Sequence, residues 1–244
     1  MIEVRNLTKI FPSANVKAVD EISFTLAAGE VGCIIGTSGC GKTTTLKMLN
    51  RLIEPSNGTV KINNQAFDSV DPIEWRRKIG YVVQKAGLLP HLTVKDNISL
   101  LSTILKRDKN FIIKRTTELM DTIDMPYTSF AHKYPIELSG GQQQRVGIAR
   151  ALMEDPPVLL MDEPFGALDP ITRESLHEEF TVLNKKLKKT IIIVTHDIEE
   201  AFKLGDKIIL MHEGKILQAG TKDEFINHPE SEFVSSFIKG KKLV

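Results

Sequence analysis

The sequence predicts an α/β domain with a helical insertion. Three observations lead there: short apolar runs along the chain, longer amphipathic runs between them, and a middle third without a central strand. Ile2 to Ile10 and Ile22 to Leu26 alternate in the manner of half-buried strands, whereas VGCII, IGYVV, VLLMD, TIIIVT and KIILM are β-branched runs that read as strands covered on both faces. Ala28-Gly29-Glu30, Ser56-Asn57-Gly58 and Glu213-Gly214 supply the glycine or asparagine of tight reversals, the last as a hairpin between KIILM and KILQAG. From Leu92 to Leu152 strand signals lapse, and Asn110 to Asp124 sets Phe111, Leu119, Met120 and Ile123 among charges at helical spacing. A second helix is expected from Pro170 to Lys188, with Leu176, Phe180, Leu183 and Leu187 as its core stripe, Asp169 as its cap and Pro170 in its first turn. Asp223 to Ile238 reads as a short terminal helix, and Lys239-Gly240-Lys241-Lys242 as a solvated basic tail.

Composition narrows the function. At 244 residues and 27.3 kDa, with 41% hydrophobic residues, the chain can bury roughly 70–75% of its unfolded surface and build one good core. Its two cysteines, Cys33 and Cys40, form neither a disulfide framework nor a metal spacing, which points to a reducing compartment. The apolar runs fall well short of the ~20 residues of a membrane-spanning helix, and MIEVRNLTKIF does not resemble an export signal. With 32 basic against 31 acidic residues, the chain lacks the positive excess of a protein that coats nucleic acid.

The strongest chemical signal is Gly36-Thr37-Ser38-Gly39-Cys40-Gly41-Lys42-Thr43, an eight-position phosphate loop between the strand VGCII and a helix. Its glycines let successive amides face an anion, and the helix adds its positive N-terminal end. Lys42 then reaches the terminal phosphates and the Thr43 hydroxyl ligates Mg²⁺, while Cys40 serves as a small residue, not a redox centre. Such a loop also suits a kinase, a GTPase or a motor. VLLMDEP narrows the choice: Asp162 ends an apolar strand where it can hold a Mg²⁺-bound water, and Glu163 follows, placed to polarise an attacking water. Leu138-Ser139-Gly140-Gly141-Gln142 opens a further helix as a second anion site, this one without a lysine.

With LSGGQ beside the phosphate loop, the chain resembles the nucleotide-binding subunit of ATP-binding cassette (ABC) transporters from Ile2 to about Pro229. The resemblance implies a P-loop NTPase, RecA-like core with an N-terminal antiparallel β subdomain and an inserted α-helical signature subdomain at about 92–152. Residues 230–244 read as a short helix end and basic tail, and no appended regulatory domain is expected, a departure from many members of the family's osmoprotectant subgroup. The same resemblance assigns ATP contacts to Phe11, stacking on adenine, and to Gly36, Thr37, Ser38, Gly39, Cys40, Gly41, Lys42, Thr43 and Thr44. Lys42, Glu163 and His196 take the catalytic roles, and Thr43, Gln84 and Asp162 the Mg²⁺ contacts. Ser139, Gly140, Gly141 and Gln142 face the ATP of a second, head-to-tail copy, and Asp169 lies in the loop crossing that interface.

The resemblance places this chain peripherally on the cytoplasmic face of the cell membrane with polytopic permease subunits as partners, Leu88 and Leu89 being candidate contacts, and with an extracytoplasmic solute-binding protein acting indirectly. WRRKIGYVVQKAGLLPHLTVKDNI, YPIELSGGQQQRVGIARAL and LLMDEPFGALDPITRESLHEEF look most similar to the importer subgroup for glycine betaine, carnitine and choline. A cassette of another small-solute importer, such as one for amino acids or methionine, and a non-transport ABC ATPase acting on nucleic acid or ribosomes stay as alternatives.

Overall fold

The computed structural model describes residues 1–12, 16–84 and 86–240, so Lys85, Lys241 and Lys242 of the segments named above lie outside the described residues. The chain divides into two compact units, Met1–Arg76 with Lys188–Val244, and Arg77–Leu187.

In the first unit, β1 (Ile2–Phe11), β2 (Val16–Leu26), β4 (Asn57–Ile62) and β5 (Gln65–Ala66) make an antiparallel sheet in the order β2-β1-β4-β5. β2 starts at Val16, six residues before the expected Ile22, because β1 stays paired with it as far as Phe11 opposite Val16. The expected reversal at Ser56-Asn57-Gly58 is instead the start of β4. Gly58 has φ 93°, and a Cβ there would lie 2.4 Å from the Asn6 carbonyl oxygen, so this glycine serves a close approach beside an irregularity in β1. The reversal lies further on, at Asn63-Asn64, where φ is 48° and 65°, the left-handed pair of a tight hairpin.

A second sheet in this unit runs β10-β9-β3-β8, formed by β3 (Val31–Gly36), β8 (Thr190–Val194), β9 (Lys207–His212) and β10 (Lys215–Gly220). β3 lies parallel between β8 and β9 and is buried along its whole length, as its uninterrupted apolar run requires; β9 and β10 form the expected hairpin around Gly214, whose φ is 80°. Helices α1 (Lys42–Leu49) and α8 (Ile198–Leu204) pack on β3 or its neighbour β8, and α2 (Pro72–Arg77) anchors Trp75, whose indole N–H donates to the Leu49 carbonyl at 2.9 Å. The expected terminal helix is two: α9 (Lys222–Asn227) and α10 (Glu232–Ile238). Pro229 breaks the run, and Ser231 restarts it by accepting the Val234 amide.

The second unit holds β6 (Ile79–Val82) and β7 (Val158–Asp162) as a parallel pair. The chain between them forms α3 (Val94–Ile104), α4 (Lys109–Thr122), α5 (Tyr127–Phe130) and α6 (Gly140–Ala151), and α7 (Pro170–Leu187) follows β7. In α4, Leu119 and Met120 are buried as expected, but Phe111 is 44% exposed, since it sits in the first turn where Asp108 caps the helix. In α7, Leu176 and Phe180 are buried while Leu183 and Leu187 are half-buried, so the apolar stripe is covered mainly toward its N-terminal end.

Candidate nucleotide site

Local backbone chemistry shapes the phosphate loop. Gly36 ends β3 with φ 147°, and a Cβ there would lie 2.0 Å from the Met211 carbonyl oxygen; Gly41 has φ 105°, and its Cβ would lie 2.4 Å from the Ala18 carbonyl oxygen. Only glycine fits either position. The tip is open: Ser38 and Gly39 are exposed, and nothing lies within 4 Å of a Cβ at Gly39. Lys42 is 7% exposed and folds back over the loop, its Nζ donating to the Gly36 carbonyl at 2.8 Å and the Thr37 carbonyl at 3.0 Å. An ammonium held by carbonyls of its own loop can exchange them for phosphate oxygens. Thr43 and Thr44 follow, half-buried, in the first turn of α1, whose N-cap Gly41 offers no side-chain hydrogen bond. Burial pushes the Cys40 thiol up, outweighing the ammonium of Lys42.

β-Register sets His196 beside this loop. Ile34 of β3 pairs with Val194 of β8 in parallel, so Gly36 and His196 each lie two residues past a paired position, at the same end of adjacent strands. His196 is exposed, and the next residue, Asp197, caps α8 by accepting the amides of Glu199 and Glu200. Phe11 is half-buried at the end of β1, with the Lys9 ammonium 5.2 Å from its ring centroid.

The second unit repeats the register device. Val82 of β6 pairs with Met161 of β7, and Gln84 and Glu163 lie two residues beyond each. Their side chains meet: Gln84 Nε2 donates to Glu163 Oε2 at 2.9 Å. Glu163 has φ 45°, a left-handed conformation that costs a residue with a Cβ about 1 kcal/mol or more. The Gly166 amide, donating to the Glu163 carbonyl at 3.2 Å, helps to hold that bend. Asp162, the last residue of β7, is half-buried; burial first, and then the Asp162 carboxylate, push the Tyr81 phenol well above its usual value.

Also in this unit, Ser139 caps α6. Its hydroxyl accepts the Gln142 amide at 3.3 Å while Gln142 Oε1 accepts the Ser139 amide at 3.0 Å, a reciprocal capping box. A Cβ at Gly141 would lie 2.8 Å from Thr172 Cγ2, and one at Gly140 would lie 3.3 Å from Leu168 Cδ2. The two glycines thus let the Leu168-Asp169 loop and the start of α7 pack against the signature. Asp169 caps α7 by accepting the Thr172 amide at 3.0 Å, and hydrogen bonds from Thr172 hold its carboxyl below the usual range.

Sequence reasoning misses two features. Ile136, 91% exposed, and Ile171, 84% exposed, stand three residues before Ser139 and two after Asp169. They are legible as isolated apolar residues next to motifs, but nothing local marks them as uncovered. The tip of the β9–β10 hairpin also grips the phosphate loop: the Gly214 amide donates to the Cys40 carbonyl at 3.1 Å, and His212 Nδ1 lies 3.4 Å from Thr37 Oγ1. Because Thr37 and His212 stand 175 positions apart, no local pattern announces that contact.

The donors named for a metal are a hydroxyl, an amide oxygen and a carboxylate, on Thr43, Gln84 and Asp162. All are hard oxygen ligands, the chemistry Mg²⁺ takes when phosphates supply further positions.

Comparison with known proteins bears on this geometry. The ABC transporter family model matches residues 19–166. The chain is 50% identical over 244 residues to the glycine betaine/carnitine/choline transport ATP-binding protein of Bacillus subtilis (strain 168), covering all of this chain and 64% of that one. It is 42% identical over 243 residues to the glycine betaine uptake system ATP-binding protein of Escherichia coli (strain K12), covering 100% of this chain and 78% of that one. A solved ATP-binding cassette, a dimer in a post-hydrolysis state bound to ADP and Pi, superposes with a TM-score of 0.79 at 35% identity, over 91% of this chain and 98% of its own. The chain spans less than two thirds of the length of the Bacillus relative. Among the described residues, no helix is long and apolar enough to cross a membrane.

Proposed function

Because the chain belongs to the ABC transporter family, we propose that it is the ATP-hydrolysing subunit of an importer, and that two copies close head to tail on ATP to drive uptake of a small quaternary ammonium solute. One observation carries the ATPase reading: Lys42, buried and held by its own loop's carbonyls, heads a helix with no side-chain cap. In this reading Lys42 moves from the Gly36 and Thr37 carbonyls to the terminal phosphates, and the amides from Gly36 to Thr44 cradle them. Phe11 stacks on the adenine, and His196 contacts the γ-phosphate. Glu163 accepts a proton from the attacking water, with Gln84 orienting its carboxylate. Thr43, Gln84 and Asp162 would hold Mg²⁺, which when bound neutralises phosphate charge and orients the phosphates for in-line attack.

Ser139, Gly140, Gly141 and Gln142 meet the ATP of the second copy, Asp169 crosses to it, and the exposed Ile136 and Ile171 supply apolar contact on the same face. The subunit docks from the cytoplasmic side on polytopic permease subunits, Leu88 and Leu89 among its contacts, while a solute-binding protein outside the membrane delivers the solute. The solute class rests on the names of the relatives.

Glu163→Gln tests the base directly. Its hydrolysis rate is expected to fall about 10²–10⁴-fold while nucleotide binding and an ATP-bound dimer persist. Normal turnover, or no ATP-bound dimer, would refute the assignment. Co-purification tests the transport reading, since a polytopic membrane protein should accompany the chain, and ribosomes or DNA in its place would favour the non-transport alternative.

A further inference from the structure

We propose that His212 is a positioning residue for ATP binding and that α10 sets its position, a role that rests on the reading of Gly36 to Thr44 as the ATP cradle. Thr37 links the two parts. It is one of the cradle residues, its carbonyl accepts Lys42 Nζ at 3.0 Å, and its hydroxyl lies 3.4 Å from His212 Nδ1, so a displacement of the imidazole shifts the backbone of the cradle itself. The imidazole is confined from the other side. Its ring centroid lies 4.2 Å from that of Phe233 in α10, and Phe233 in turn stacks on Phe237 at 6.2 Å with an interplanar angle of 12°.

α10 has a fixed seat on the hairpin. Gln218 of β10 is 4% exposed; its Nε2 donates to the His228 carbonyl at 3.2 Å, and its Oε1 accepts the Glu230 amide at 2.9 Å, which ties down the link between α9 and α10. Buried Val234 anchors the helix itself. The hairpin strand that carries His212 is equally committed to the loop. Met211 pairs with Gly36 and its sulfur accepts the Thr45 hydroxyl at 3.8 Å, while the Gly214 amide donates to the Cys40 carbonyl at 3.1 Å. Everything around His212 is thus fastened at both ends, and the imidazole is the part that joins helix to loop.

The test is nucleotide affinity of the full chain, by titration with a fluorescent ATP analogue, together with KM and kcat for MgATP and the melting temperature of each variant. His212→Ala should raise the dissociation constant and KM about three- to tenfold, with kcat within about twofold of the parent. His212→Asn, whose amide can occupy the Nδ1 position, should restore most of that affinity. Phe233→Leu, which keeps bulk without the ring, should raise KM by less than His212→Ala. A residue with a purely structural role would lower the melting temperature and leave KM in place. Unchanged affinity in a folded His212→Ala protein, or no rescue by asparagine, overturns the proposal while leaving the ATP reading intact; failure of the parent chain to bind nucleotide overturns both.

Discussion

Helices α1 and α6 both start from glycine-rich segments, and their first turns are completed in opposite ways. Gly41 gives α1 no side-chain acceptor, its backbone is left-handed, and a lysine is the first helical residue. Ser139 and Gln142 close α6 with a reciprocal box drawn from the chain itself. The first-turn amides of α1 have no side-chain cap to compete with an anion, and Lys42 supplies the counter-charge; at α6 one amide is already bonded to Ser139, and no cation is built in. The difference teaches that α1 leaves its first turn without a side-chain cap beside a built-in ammonium, which is what the proposed phosphate site requires of its own unit. The signature helix starts with its own reciprocal cap and brings no lysine, in keeping with the proposal that its anion comes from another copy.

Lys42→Ala is the strongest way to break this contrast, since it makes the α1 start resemble the α6 start. ATPase activity, measured as phosphate release, should fall by at least about 10²-fold, because no other cation in the loop replaces the ammonium. Next come the two glycines. Gly41→Ala forces a Cβ to within 2.4 Å of a backbone oxygen at φ 105° and should cost about 2 kcal/mol or more in thermal or urea unfolding. Gly140→Ala meets only the flexible end of Leu168, with no left-handed backbone, and should stay within about 1 kcal/mol of the parent. Equal losses at the two positions would remove the contrast.

What can be read in the sequence follows the range of the interactions. The phosphate loop and the capping box are each written in a few consecutive residues, and the all-buried β3 announces itself as an unbroken apolar run. The Gln84–Glu163 contact joins residues 79 apart through strand register, and neither residue's local pattern points to the other. Gly58 misleads because a glycine that permits positive φ at a turn looks the same as one that permits close approach of another strand. The break at Pro229 and the Asn63-Asn64 hairpin do carry local signals, a proline and a pair of asparagines, which the stronger apolar pattern around them masks. The grip of His212 on the loop has no local signal at all.

The smaller predictions sharpen the comparison from its capped side. Ser139→Ala should destabilise the chain by about 1 kcal/mol, since the Gln142 amide loses its acceptor. A matching loss of the Gln142 contribution should appear in a double-mutant cycle with Gln142→Ala. Asp169 caps α7 in the same manner but with a carboxylate, so its effect depends on pH. Its folded pKa lies below its ordinary value of 3.8, with hydrogen bonds from Thr172 as the first cause, so its contribution is present in full above that value and is lost as pH falls through the lower folded one. Asp169→Asn should therefore melt slightly below the parent at neutral pH, and the gap should close in acid as the parent's own carboxylate protonates. A gap unchanged between about pH 7 and about pH 2 would mean that the loop, not the charge, supports the start of α7.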